Sequence, residues 1–396
     1  MISPRSWASG LVVVALLAAS GAELRAEDTA AVRAVVEKSG GLLRLDAQGN
    51  PVEIDFTAGR GSADADVLTA ILACPTVQIL RMRVGAMPLR ELVKIGSLVK
   101  LRELMLQDAA IDDAGLQALV EPLHGLRRLT LRNVAKVSDR GVEAVIRRAP
   151  LTHVALIELP ISDGALPAAA AAPQLVSLDV RQCPRITSQG LRSLKKSAVL
   201  RELKISGQGM DDEALAAVAA IPRLESVSIE DAPISAAGLA RLVDSPGVTG
   251  RLRHLALVRC QALRDADLQP LGRLTNLTHL TIRDMPVTGA FLRSLQAPEK
   301  LDSLSLNETY LNAEAFTTIA TCRQLKRLEL AQSLLAPEAV RTIGALANLE
   351  YLNLSECGLN DESLALLAPL RKLKTLLIDG NPDVSPEALA KLRVSK

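Results

Sequence analysis

Aromatic side chains are nearly missing. Three Phe, two Tyr and one Trp make up 2% of the 396 residues. An ordinary compact core uses such rings as large fillers; here Leu, Val, Ile and Ala must fill it, as they do where many small similar layers stack. An excess of one charge is missing too. The 46 basic and 44 acidic residues leave +2, which argues against a wholesale binder of nucleic acid or anionic membrane. Cysteine is sparse: Cys74, Cys183, Cys260, Cys322 and Cys357, with no C-x-x-C. A secreted disulfide scaffold would be shorter and denser in Cys. No H-E-x-x-H or G-x-S-x-G string occurs. Gly59-Arg60-Gly61-Ser62 lacks both the third glycine of a dinucleotide fingerprint and the Lys-Ser/Thr of a P-loop, and reads as a loop. No stretch beyond residue 26 approaches 18 uninterrupted apolar residues, so no later membrane span is expected.

The one long apolar run is at the front. Residues 1–5 carry a single charge, positive; residues 10–19 read GLVVVALLAA; the small residues Ser20-Gly21-Ala22 follow, and then Leu24-Arg25-Ala26. This is the pattern of a secretory signal peptide, with cleavage after Ala22 or Ala26. An uncleaved anchor is the alternative. Residues 1–26 are set apart from the fold, and the rest is expected to be exported, periplasmic or extracellular.

What the chain has in plenty is one string. Residues 349–365, LEYLNLSECGLNDESLA, read L-x-x-L-x-L-x-x-C-x-L, and variants of it recur. The second leucine of each copy serves as a marker: Ile54, Leu80, Leu104, Leu129, Val154, Leu178, Leu203, Val227, Leu255, Leu280, Leu304, Leu328, Leu352 and Leu376. Successive markers lie 24–26 residues apart, except for 28 between Val227 and Leu255. Residues two apart point to one side of a strand, so each L-x-L reads as a strand with one buried edge. Seven or eight residues on, an apolar residue marks a turn. Capping residues such as Ser138, Ser162, Asp211 and Ser385 then open a short helix, whose inward leucine is Leu116, Leu191, Leu215, Leu239, Leu268, Leu292, Leu364 or Leu389. The extra residues at 244–250 read as a longer surface loop. A helix over residues 28–37 and a hairpin of strands 42–45 and 52–56 precede the array.

A period of 20–29 residues with this core string resembles the leucine-rich repeat family. Arg181–Leu191, RQCPRITSQGL, looks like the cysteine-containing, ribonuclease-inhibitor-like subtype, here of an exported bacterial kind. The resemblance implies an α/β solenoid, a horseshoe with a parallel concave sheet, short convex helices and about 13 repeats of 24–25 residues. The domains are then a signal peptide (1–26), a capping helix and hairpin (27–58) and the repeat domain (59–396). It also implies that a turn thiol satisfies backbone groups, and all five cysteines read as buried and unreactive.

Candidate chemistry is thin. His254 and His279 fall at one strand position in adjacent repeats, about 5 Å apart, with Asp284 or Asp302 nearby. Two histidines are short of the three protein ligands of a catalytic zinc site, and solvated side chains are the plainer reading. No metal or cofactor is expected. Asn276, Asn307 and Asn353 open N-x-S/T sequons, which matter only in a glycosylating host.

What remains is the displayed strand face. Its first six repeats carry nine cations against five anions; its last seven carry six against ten. The candidate partner-binding positions are Arg81, Arg83, Arg102, Arg128, Arg132, Arg181, Lys204, His254, His279, Arg283, Glu329, Tyr351 and Asn353, with Arg127 beside Arg128. The resemblance implies a non-enzymatic scaffold that binds an unknown protein or peptide rather than nucleic acid. The alternatives are a self-associating envelope protein joined through its C-terminal edge, and a weak metal-binding or enzymatic module at His254/His279.

Overall fold

The computed structural model describes residues 26–59, 61–85 and 87–394; the signal-peptide reading and Arg60 lie outside the described residues. The described residues form two compact units, divided between Ile186 and Thr187.

The first unit opens with the helix Ala26–Lys38, which buries Val32 and Val36. Strands β1 (Leu42–Leu45) and β2 (Pro51–Asp55) pair antiparallel. The rest of its strands are parallel and in sequence order: β3 (Ile79–Arg83), β4 (Glu103–Gln107), β5 (Arg128–Arg132), β6 (His153–Ile157) and β7 (Ser177–Asp179). The second unit repeats the arrangement with β8 (Glu202–Ser206), β9 (Ser226–Glu230), β10 (His254–Val258), β11 (His279–Arg283), β12 (Ser303–Ser305), β13 (Arg327–Glu329), β14 (Tyr351–Asn353) and β15 (Thr375–Leu377).

Register follows the marker. Leu104 lies opposite Leu129, and Leu304 opposite Leu328, so each marker stacks on the next. Marker and second-next residue point inward; Leu104, Leu106, Leu304 and Leu306 are fully buried. Each unit is therefore the α/β solenoid that the period implied, with strands on one side and short helices on the other. In residues 349–365, Leu349, Leu352, Leu354, Leu359, Leu364 and Cys357 are core, and Asn360 caps the helix Asp361–Ala365 in a capping box with Ser363.

The short helices expected after β10 and β11 are present as 3-10 turns, Gln269–Arg273 and Ala290–Ser294, with Leu268 and Leu292 buried. Two local features differ from the sequence reading. The insertion at 244–250 is no loose loop: Pro246–Thr249 makes one helical turn, Val248 is buried, and the Ser245 hydroxyl donates to the Ala219 carbonyl at 3.0 Å. And Asp179, one of the five anions that the sequence places on the displayed face of the first six repeats, is buried against Arg181.

Two devices join successive repeats. The first uses the position five residues past the marker. There the Cys183 thiol donates to the Leu156 carbonyl (3.1 Å), the Ser333 hydroxyl to Leu306 (3.3 Å), the Cys357 thiol to Leu330 (3.1 Å) and the Asn381 amide to Leu354 (2.9 Å). Each reaches one repeat back to a strand-end carbonyl and helps satisfy it; the Leu306 carbonyl also accepts from the Thr309 hydroxyl (2.7 Å). All five cysteines are buried and free. Burial pushes the Cys74 thiol up to about 12 and those of Cys183, Cys260, Cys322 and Cys357 to about 11, so they stay protonated and inert at neutral pH.

The second is an aspartate clamp. Asp113, Asp139, Asp212 and Asp361 each accept from both the backbone N–H and the hydroxyl of a serine at the helix start one repeat on: Ser138, Ser162, Ser235 and Ser385. Asp265 does the same for Thr288. Space is made for the carboxylate by glycine: a Cβ at Gly141, Gly164 or Gly238 would collide with Asp113, Asp139 or Asp212.

Candidate functional site

On β3, β4, β5, β6, β9 and β11 the marker's two flanking residues and the strand's last residue are exposed or half-buried, whereas the last residues of β8 and β10, Ser206 and Val258, are buried; the sheet register brings like positions side by side. What the face offers depends on which of these charges are already paired.

In the first unit most are. Arg81 reaches Glu53 (2.7 Å), Asp55 (3.0 Å) and Glu103 (2.7 Å). Burial pulls its guanidinium pKa down, but the hydrogen bonds to Glu103, Asp55 and Glu53 outweigh it and the net shift is upward. Burial likewise raises Asp55, yet Thr57 and Arg81 hold its carboxyl below the usual range. This network ties the hairpin to the next two strands. Arg83 lies 4.0 Å from Asp108, Arg132 pairs with Glu158 (3.2 Å) and Arg181 with Asp179 (2.8 Å). Arg102, Arg127 and Arg128 differ. All three are exposed at the start of β4 and β5, and none has a carboxylate partner among the described residues. The exposed Lys100 precedes them.

In the second unit the charges cancel along the rungs. Two residues before the marker, successive repeats read Arg201, Glu225, Arg253, Thr278, Asp302, Lys326, Glu350 and Lys374. Arg201 pairs with Glu225 (2.6 Å), Lys326 with Asp302 (3.2 Å) and Lys374 with Glu350 (2.7 Å). The Lys374 hydrogen bond holds the Glu350 carboxyl below its ordinary range. Lys204 takes Glu202 (3.1 Å), and Arg283 lies 3.8 Å from Glu308. Glu329 accepts from Arg327 (2.5 Å) and from Asn307 (3.1 Å), while Arg327 stacks over the Tyr351 ring, 3.6 Å from its centroid. Asn353 accepts from the Ser355 N–H.

His254 and His279 lie in register with ring centroids 4.2 Å apart, edge to face. Burial, then the neighbouring His254, lowers the His279 pKa. Ser226 and Ser303 flank the pair in the ladder. Among the described residues no group of three His, Cys, Asp or Glu is placed to hold a metal.

Sequence reasoning missed one column. Four residues past the marker the backbone turns left-handed in repeat after repeat, at Asp108, Asn133, Glu158, Gln182, Asp231, Arg259, Asp284, Glu308, Gln332 and Glu356, with φ of 50–60°, and at Gly207 and Gly380. Every non-glycine occupant is polar. Two residues further on, Tyr310 and Leu334 stand exposed in adjacent repeats, 74% and 82%. They line a cavity of about 570 Å³ with Asp284, Glu308, Thr309, Leu311 and Gln332. Reading the repeats as aligned columns would have exposed both features.

A family model described as Leucine Rich repeat matches residues 97–120 and 345–368. No curated protein sequence matches the chain. Among solved structures the chain is similar to an internalin from Listeria monocytogenes, at 17% identity over 88% of this chain and 93% of that one, TM-score 0.40. It is similar also to the TLR13–ssRNA13 complex, at 18% over 79% and 47%, TM-score 0.46, and to a leucine-rich repeat protein of Leptospira interrogans, at 16% over 84% and 86%, TM-score 0.42. Each matched window spans one strand and the helix after it, and with markers stacked in register through each unit the fold is that of a leucine-rich repeat solenoid.

Proposed function

We propose that the chain is an exported, non-enzymatic scaffold that binds a protein partner through its strand face. The observation that carries this reading is the trio Arg102, Arg127 and Arg128: exposed, on adjacent strands and without a carboxylate partner among the described residues, where most other strand-face cations are paired. Unpaired arginines on a rigid sheet steer and anchor an acidic surface, and arginine is a favoured hot-spot residue. Export is supported by the charged, apolar and small-residue succession within residues 1–26.

The test is cross-linking mass spectrometry in the native host envelope, with wild-type chain and an Arg102→Glu/Arg127→Glu/Arg128→Glu variant. The wild type should yield cross-links from Lys100 to acidic segments of one partner, lost in the variant and weakened by salt. Cross-links confined to the helical side, or unchanged by the charge reversal, would sink the assignment. A second reading, self-association, is favoured by one feature: Leu376, Leu377 and Ile378 at β15 are only half-buried, and among the described residues β15 pairs only with β14. Light scattering showing a monomer at high concentration removes it.

A further inference from the structure

We infer that the cavity beside Tyr310 and Leu334 is a docking site for an extended basic peptide segment carrying an apolar side chain between two cations. The surface lies at the strand exits of the second unit, whereas the arginine trio belongs to the first, and the inference stands or falls separately from it.

The apolar part comes first. Tyr310 and Leu334 occupy the same column in adjacent repeats, and they are the two most exposed large hydrophobics among the described residues. Neither is displaced: the Tyr310 N–H donates to the Val287 carbonyl (2.9 Å), and the Leu335 N–H to the Cys357 carbonyl (3.1 Å). The next repeat places Gly358 in this column, so no side chain covers Leu334 from that side. The pair forms the two walls of a cavity wide enough for one aliphatic or aromatic side chain.

Charge sets the sign of what flanks that side chain. Asp284 and Glu308 line the cavity, and Glu356 continues the column. Asp284 and Glu356 have no ion-pair partner among the described residues; both are held by amides, Gln261 at 3.4 Å and Gln332 at 3.2 Å. Glu308 has Arg283 at 3.8 Å. Arg259, one rung before Asp284, is already held by Asp231 (2.6 Å), so the three carboxylates outweigh the cations beside them and the rim is acidic: an acidic segment would be repelled and a basic one held.

Spacing sets the pattern. From Asp284 to Glu356 is three rungs, about 14 Å at the usual strand separation. An extended peptide crosses that distance in about four residues. Cations four residues apart therefore meet the two ends of the carboxylate column while the residue between them drops toward Tyr310 and Leu334.

The experiment uses the full chain and three fluorescein-labelled peptides read by anisotropy: Lys-Ser-Leu-Ser-Lys, Glu-Ser-Leu-Ser-Glu and Lys-Ser-Ser-Ser-Lys. The first should bind at least tenfold tighter than either control. Tyr310→Ser/Leu334→Ser should remove that advantage, as should Asp284→Asn/Glu308→Gln, while Arg128→Ser leaves it unchanged. All these side chains are exposed or half-exposed, so the variants should keep the wild-type circular dichroism. Equal binding of the three peptides, or no loss in the cavity variants, overturns the inference. So does a dimer that Leu334→Ser disperses, which would assign the patch to a second copy of the chain.

Discussion

A non-glycine residue held at φ of 50–60° carries a steric cost of about 1–2 kcal/mol, because its Cβ crowds the carbonyl. Ten such residues occur here at one repeat position. The geometry is fixed by the ladder: the Asp108 N–H donates to the Arg132 carbonyl, Asn133 to Ile157, Asp231 to Val258 and Arg259 to Arg283, each reaching the next strand. Rotating any of them out would orphan that donor. Gly207 is the informative exception. Its φ is 106°, beyond the range of the ten, and a Cβ there would meet nothing within 4 Å. Gly207→Ala therefore isolates the backbone cost from any clash. It should lower stability by about 1 kcal/mol, read as a lower urea midpoint at unchanged slope. No change would mean that the turn relaxes, and that the column is held less tightly than the ladder bonds imply.

Between elements, the aspartate clamp does two things with one side chain. Asp212 is the first residue of the helix Asp212–Ala219, where a carboxylate favours the helix dipole. It also binds Ser235 N at 2.8 Å and Ser235 Oγ at 2.6 Å, and Ser235 caps the next helix. At Asp361 the same two bonds from Ser385 hold the carboxyl below its ordinary range. Asp212→Ala should cost about 1–2 kcal/mol, since a charge-assisted acceptor is lost from two donors. Gly238→Ala should cost more in the wild type than in the Asp212→Ala background, because the clash is with that carboxylate. Urea midpoints for the two single variants and the double variant close a thermodynamic cycle; strict additivity would show that the clamp does not govern the space at Gly238. The serine caps themselves were legible, since Ser138-Asp139 and Ser385-Pro386-Glu387 are local strings. The aspartate's reach to the neighbouring repeat was not, because it depends on how closely two helix starts are stacked. Charge counts along the face misled for the same reason. Arg81 and Arg132 count as free cations in a sequence, and only side-chain geometry shows that Glu53, Asp55, Glu103 and Glu158 already hold them.

At the scale of the molecule, the pairing is strictly nearest-neighbour. Within the second unit β11 pairs with β12, β12 with β13 and β13 with β14, and no strand skips a rung. This was the most legible property of the chain, because a marker spacing of 24–26 residues, interrupted by a single gap of 28, admits only one stacked register. Stability in such an array is a sum of repeat and interface contributions, so damage should be local rather than global. Leu304 is the test: fully buried, with Leu280 on one side and Leu328 on the other. Leu304→Ala should cost about 2–5 kcal/mol, the transfer and cavity terms together. In native-state hydrogen exchange, amides of β11, β12 and β13 should lose the most protection. The loss should fade toward β9 and β15, because each interface passes on only part of the cost. A uniform loss across residues 187–394 would instead mean that the unit unfolds as one cooperative block, and a loss well under 1 kcal/mol would contradict the placement of Leu304 in the core.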